Sequence, residues 1–406
     1  MRSSSPAVPQ GCRRVLPTLA GAVVLCAAGL TVLAPPAHAA ASTCTVNGTA
    51  VTGTAINGTL GNDTVVCTGG IAAGTTVDLG GGSDTLTVTA PSGVPGNAGT
   101  INAGSKLGLA ATTTITVTGG SGAAGNTGII QAASTLLATT ATRITVTGGD
   151  TTTGTAGAGN TGTIRSAGPL LGNPGTWNVQ VTGGTSTGGD GGAGNTGTIR
   201  FTATTASYAA GPVSVTGGRG EGNDFASGGD GNTATIVNRG PVTANGGSGR
   251  GGGGWGSNSD GTIQATASVS ARGGDGDSAG EGQGGVGAPG SGGTIGPVPG
   301  TSDALTVEVT GGDGGVGEPA GDGGIGANSA TITAHVFHAT GGFSAEGANG
   351  PSIYETRVTG TPLNDTFTLH TLDPGIPNTG TIDGLAGTNT CIPTTPPPGV
   401  TYTNCN

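Results

Sequence analysis

At ten places in this chain an isoleucine follows an Asn or Ser by four residues, and the residues between them are nearly constant. The copies begin at Asn97, Asn126, Asn160, Asn195, Asn232, Ser259, Ser291, Asn328, Asn349 and Asn378, most of them reading Asn-x-Gly/Ala-Thr-Ile. Successive copies lie 21 to 37 residues apart, a range in which a recurring unit means a solenoid, a propeller or an array. A unit that short cannot bury its own apolar face, so the chain must fold by stacking.

A second motif precedes each Asn motif within the unit: Ile144-Thr145-Val146-Thr147-Gly148-Gly149, with relatives beginning at Leu86, Ile115, Val179, Val213, Val242, Val269, Val307 and Phe337. Strict alternation of β-branched residues ended by a Gly pair predicts a half-buried strand and a turn, with Ile144 and Val146 inward and Thr145 and Thr147 outward. A loop of variable length follows, then the Asn motif and a second strand. The shortest unit, Ile263 to Val269, has no room for a helix. The expectation is therefore an all-β, single-domain parallel β-solenoid of about ten coils with disulfide-stapled end caps.

The N-terminus carries Arg2, Arg13 and Arg14, an apolar run from Val15 to about Leu33, and Ala37-His38-Ala39. That order predicts an export leader over 1–39. An N-terminal cap over 40–85, solenoid repeats over 86–359 and a C-terminal cap and tail over 360–406 complete the organisation. The expected location is secreted and extracellular, with no membrane span once the leader is removed. Lys106 as the only lysine, among abundant Gly and Ala, suggests a bacterial chain.

Removal of the leader leaves nine Lys/Arg against 22 Asp/Glu. Such an acidic surface argues against nucleic acid and anionic membranes as partners. Cys44, Cys67, Cys391 and Cys405 remain, an even number in an exported chain, which suggests two disulfides. Three pairings are open. Cys44 with Cys67 and Cys391 with Cys405 is the economical one and would staple each end of the stack.

Stacking in register brings equivalent residues about 4.8 Å apart, so that Asn97, Asn126, Asn160, Asn195, Asn232, Asn328, Asn349 and Asn378 would form a ladder of amides along the axis. With that ladder the chain resembles the right-handed parallel β-helix proteins, pectate-lyase-like in architecture, over roughly residues 86 to 385. The resemblance is one of pattern. It implies no catalytic set, because the lyase members use an Asp cluster for Ca²⁺ and basic residues that this sequence lacks.

Four segments resemble the calcium-binding turns of secreted repeat-in-toxin proteins: Gly58 to Val65, Gly80 to Leu86, Gly360 to Phe367 and Gly384 to Thr390. The resemblance implies Ca²⁺ as a cofactor and Asp63, Asp84 and Asp365 as metal ligands, with Asn389 replacing the acid in the last turn. In such turns glycines permit the tight backbone, and carbonyl and carboxylate oxygens form the cage.

The variable loops collect Asp150, Asp190, Glu221, Asp224, Asp230, Asp275, Asp277, Glu281, Asp313, Glu318, Asp322 and Glu346 on one edge. They read either as a partner-facing fringe or as loops kept soluble by charge. Trp255, in a glycine run, is a candidate ligand contact, whereas Trp177 precedes a strand and reads as structural. His335, His338 and His370 read as isolated polar residues.

The leading expectation is a secreted, non-enzymatic structural or calcium-binding interaction protein with an extracellular or cell-surface partner. A β-helix carbohydrate-active enzyme, using pairs such as Asp150 and Asp190 or Asp275 and Asp313, is one alternative. An ice-binding solenoid, with outward threonine rows through Thr116 and Thr118, is the other.

Overall fold

The computed structural model describes residues 42–103, 111–132, 140–166, 176–202, 211–222, 225–258, 260–277, 285–301, 304–317, 319–370, 372 and 377–405. The expected leader, Lys106, Asp224, Ser259, Glu281 and Glu318 lie outside the described residues.

Each coil contributes one strand to each of two long sheets. Among the described residues the first sheet has 14 strands, from Thr49–Gly53 at one edge to Thr390–Ile392 at the other, and the second has 13, from Ala55–Asn57 to Val400–Thr403. All neighbours pair in parallel except the N-terminal strand Ser42–Val46, which runs antiparallel to both Thr49–Gly53 and Thr64–Cys67. The chain is an all-β parallel β-solenoid whose two caps continue the sheets.

Register follows from which residues must be inside. In the first sheet Leu86, Ile115, Ile144, Val179, Val213, Val242 and Val269 stack on one another, as do Val88, Val117, Val146 and Val181. In the second, Ile101, Ile130, Ile164, Ile199, Ile236, Ile263, Ile295 and Ile332 form one column. These side chains are fully buried, and the intervening threonines, such as Thr145 and Thr147, remain half-exposed. Slipping any strand by one residue would turn its whole apolar set to solvent, so the alternation fixes the pairing. Trp177 is also buried, its ring tilted against Phe201 with centroids 5.5 Å apart.

The glycine-rich segments between the sheets are ordered structure. In each coil the chain leaves the first sheet, runs outward, and returns antiparallel to itself, forming a wing that stacks on the wings of adjacent coils. One arm carries Gly149, Gly184, Gly218, Gly247, Gly274, Gly312 and Gly342, and the other Gly157, Gly192, Gly229, Gly254, Ala288, Gly324 and Gly350. Amides and carbonyls bond alternately within a coil (Gly192 to Gly184, Gly229 to Gly218) and between coils (Gly218 to Gly192, Gly247 to Gly229), at 2.7–2.9 Å for these four bonds. Glycine is required here for proximity rather than for a left-handed backbone. A Cβ on Gly218 would strike the carbonyl of Gly184, and one on Gly247 that of Gly218. Wing backbone groups thus find partners without forming a ladder of strands.

Among the described residues no helix is long and apolar enough to cross a membrane.

Candidate functional site

At the turn into the second sheet, Asn97, Asn126, Asn160, Asn195 and Asn232 are stacked and fully buried. Each amide donates to the carbonyl oxygen of the next, at 2.7 Å from Asn97, Asn126 and Asn160 and 2.8 Å from Asn195. Each remaining N–H is directed to a local backbone carbonyl, such as Gly197 or Ala234. The row then continues through Ser257, Ser291 and Ala327.

Two of the expected ladder residues stand elsewhere. Ala327 holds the row position, and Asn328 follows it, because this turn contains one extra residue with Ser329 in the left-handed region at φ 53°. Asn349 lies on the wing, where its Oδ1 accepts the Ser344 N–H at 2.8 Å. Its companion Ile353 pairs with Ala327 at the turn, and Val358 takes the place in the isoleucine column. Asn378 is buried at the end of the row and accepts the Ile353 N–H at 3.0 Å.

The caps carry both disulfides, Cys44–Cys67 and Cys391–Cys405. The first joins directly opposed residues of neighbouring strands. The second ties strand Thr390–Ile392 of the first sheet to the segment following Val400–Thr403 of the second.

The calcium-like turns at the two ends are copies of one arrangement. The Thr59 and Thr361 N–H groups and hydroxyls donate to Asp63 and Asp365 respectively. Asn62 accepts the Ser83 N–H, as Asn364 accepts that of Thr388, each at 2.8 Å. Asp63 also accepts from the Asn47 amide at 2.7 Å, and Asp365 from His335 Nδ1 at 2.9 Å.

A Ca²⁺ cage requires inward oxygens, whereas these carboxylates are ringed by donors that a cation would have to displace. Among the described residues no group of three or more His, Cys, Asp or Glu is placed to hold a metal ion. The donors around Asp63 and Asp365 do not fit Ca²⁺. His335, which looked isolated in the sequence, is part of the C-terminal turn.

Asp84 differs from its neighbours. Its Oδ1 accepts the Asp63 N–H at 3.0 Å, while its Oδ2 is buried without a partner. Burial raises its carboxyl from 3.8 to about 6, opposed by the bond from the Asp63 backbone, with the nearby Asp63 charge adding to the rise.

The acidic edge is built on Gly-Asp pairs in the wings. Asp150 accepts the N–H of Thr185, Asp190 that of Ser227, Asp230 that of Trp255, Asp275 that of Asp313, Asp313 that of Phe343 and Asp322 that of Ala348, all at 2.7–2.9 Å. Each carboxylate holds its coil to the following one. Arg272 adds contacts to Asp275 at 2.9 Å and Asp313 at 3.7 Å, and Arg219 bonds to Asp277 at 2.8 Å. The pairs considered for general acid–base work are therefore engaged as backbone acceptors. Little in the sequence marked this role, beyond the recurrence of Asp directly after Gly.

On the return arms these residues border a groove of about 440 Å³ that crosses several coils. Its floor includes Gly191, Gly229 and Gly254, and its polar wall Asp190, Asp230 and Asn258, with Trp255 beside them. The outward threonine rows of the first sheet are interrupted in register by Gln180, Glu308 and Arg272. Arg143 bonds across that face to Gln180 at 3.0 Å, so it is no uniform hydroxyl array.

Comparison of this chain with protein-family models, with curated proteins and with solved structures yields no match.

Proposed function

We propose that this chain is an exported, non-enzymatic β-solenoid that works outside the cell as an interaction scaffold, with its wing edge as the contact surface. The observation that carries this reading is the occupation of Asp150, Asp190, Asp230, Asp275 and Asp313 by backbone N–H groups of the next coil. A general acid and its partner base need distinct environments and a free path to substrate. Here one repeated environment serves all five, and its evident result is a rigid edge. The leader-like order of Arg13-Arg14, the apolar run and Ala37-His38-Ala39 supports export, as do two disulfides in so small a set of cysteines. A right-handed, pectate-lyase-like β-helix is the architectural type we propose, supported by an Asn row at a turn between parallel sheets. Calcium has no part in the proposal, because Asp63 and Asp365 are surrounded by internal donors.

The test is expression of the full chain in a bacterial host, with mass analysis of cytoplasmic, cell-envelope and medium fractions and an assay for released reducing sugar. A product beginning near Ala40 outside the cytoplasm, without glycan cleavage, supports the proposal. Retention of the unprocessed chain in the cytoplasm, or turnover that is lost in an Asp190→Asn variant, would overturn it.

A further inference from the structure

Along the return arms one outward column changes character abruptly. Its residues are Ala124, Ala158, Ala193, Asp230, Trp255 and Pro289, related by bonds from the glycine before each ladder residue to the carbonyl one coil on. Three methyl groups give way to a carboxylate and then to an indole, with the groove alongside.

The indole is held in place. It lies against Gly292 of the following coil, where any Cβ would collide with the six-membered ring. The Trp255 N–H donates to Asp230 Oδ1 at 2.7 Å, and the Asn258 amide to Asp230 Oδ2 at 2.6 Å. Asp190 is fixed by the Ser227 N–H at 2.8 Å. An ionised carboxylate has about four lone-pair sites, so each of these acids keeps acceptor capacity toward a ligand. The glycine floor carries no side chains to hold a ligand away from the backbone.

We infer that the groove is a non-catalytic binding site for a glycan of neutral or amino-substituted pyranose rings. This inference rests on the extracellular-scaffold reading above. A pyranose presents an apolar C–H face and a rim of hydroxyls, which an aromatic wall beside fixed acceptors matches. The cavity falls within the range of small-molecule sites, about 300–1,000 Å³, and its course across the coils suits a chain rather than a single sugar. Two carboxylates, with no basic residue among the described lining residues, set the selectivity. They repel uronate, sulfate and phosphate groups, and favour hydroxyl or ammonium donors.

Fluorescence offers a direct test, because the chain has two tryptophans and Trp177 is only 2% exposed. Exported protein is titrated with cello-oligosaccharide, glucosamine oligomer, oligogalacturonate and a lysine-rich peptide, with calorimetry in parallel. A neutral or amino-sugar oligomer should bind and shift the emission, while oligogalacturonate does not bind. Trp255→Ala should weaken binding about tenfold or more, corresponding to 1.4 kcal/mol, with unchanged circular dichroism. Trp255→Phe should restore part of it, and Asp230→Asn should reduce the discrimination against oligogalacturonate.

Equal binding by Trp255→Ala, equal binding of the acidic oligomer, or binding of the peptide alone would overturn the inference. A chain that is exported and adheres to cells, yet binds none of these sugars, would refute the glycan and leave the scaffold reading intact. A chain retained in the cytoplasm would refute the scaffold reading independently of any sugar.

Discussion

Asp84 occupies in the N-terminal cap the place that Asn389 occupies in the C-terminal cap. Each accepts, through Oδ1, the backbone N–H of the aspartate one coil before, Asp63 at 3.0 Å and Asp365 at 2.8 Å. The second atom distinguishes them. Asn389 Nδ2 donates to the carbonyls of Gly384 at 2.8 Å and Asn404 at 3.0 Å, whereas Asp84 Oδ2 has no partner. An ionised carboxyl at Asp84 leaves a buried charged oxygen unpaired, and a proton or an amide removes that charge.

Asp84→Asn should therefore stabilise the protein at neutral pH, by about 1–3 kcal/mol, the cost of an unsatisfied buried polar atom. The sign of the pH dependence follows from a folded-state value raised to about 6 from 3.8. The contribution of the protonated group is fully present below pH 3.8 and is lost as pH rises through about 6. Thermal melts from pH 4 to 8 should show this decline in the parent protein and its absence in the variant.

Asn160→Ala should destabilise by about 2 kcal/mol or more, because it orphans the Asn126 amide and the Asn195 oxygen in a buried row. Urea unfolding measures the loss. The same change at Asn349, which stands outside the row, should cost far less.

Gly218→Ala tests the wing. Its added methyl meets backbone rather than a side chain that can rotate away, so a loss at the upper end of the usual overpacking cost of about 1–3 kcal/mol is expected. Adding the same methyl at Gly154, which has open space around it but a φ of 69°, should cost about 1 kcal/mol through backbone strain alone.

Asp190→Ala should accelerate hydrogen exchange at the Ser227 amide, and Asp190→Asn, which keeps an acceptor, should largely preserve protection. Ca²⁺ should leave the melting temperature unchanged and give no heat on titration.

The sheets were legible in the sequence because alternation at Ile144-Thr145-Val146-Thr147 and the isolated Ile of each Asn motif have one sensible arrangement in a stack. The ladder was legible only where the row residue stands four before the column isoleucine, whereas Ser257 stands six before Ile263 and Ala327 five before Ile332. One extra residue at Ser329 displaced Asn328 from the row, and at Asn349 the same spelling fell on a different part of the coil. The wings were hidden for another reason. Polyglycine arms have no side-chain period, so their order rests wholly on backbone contacts that no pattern of apolar residues encodes. The Gly-Asp pairs were visible as charge, but their function as inter-coil acceptors needed the neighbouring coil.

The reversed strand Ser42–Val46, next to the N-terminal edge of the first sheet, has a consequence for unfolding. It lies between Thr49–Gly53 and Thr64–Cys67 and is antiparallel to both, so Thr49–Gly53 at the edge again runs in the direction of the parallel strands. The Cys44–Cys67 disulfide ties this reversed strand to Thr64–Cys67, the first strand of the parallel stack. The outermost layer at this end therefore cannot peel from the stack while that covalent bond is closed, and fraying has to begin elsewhere.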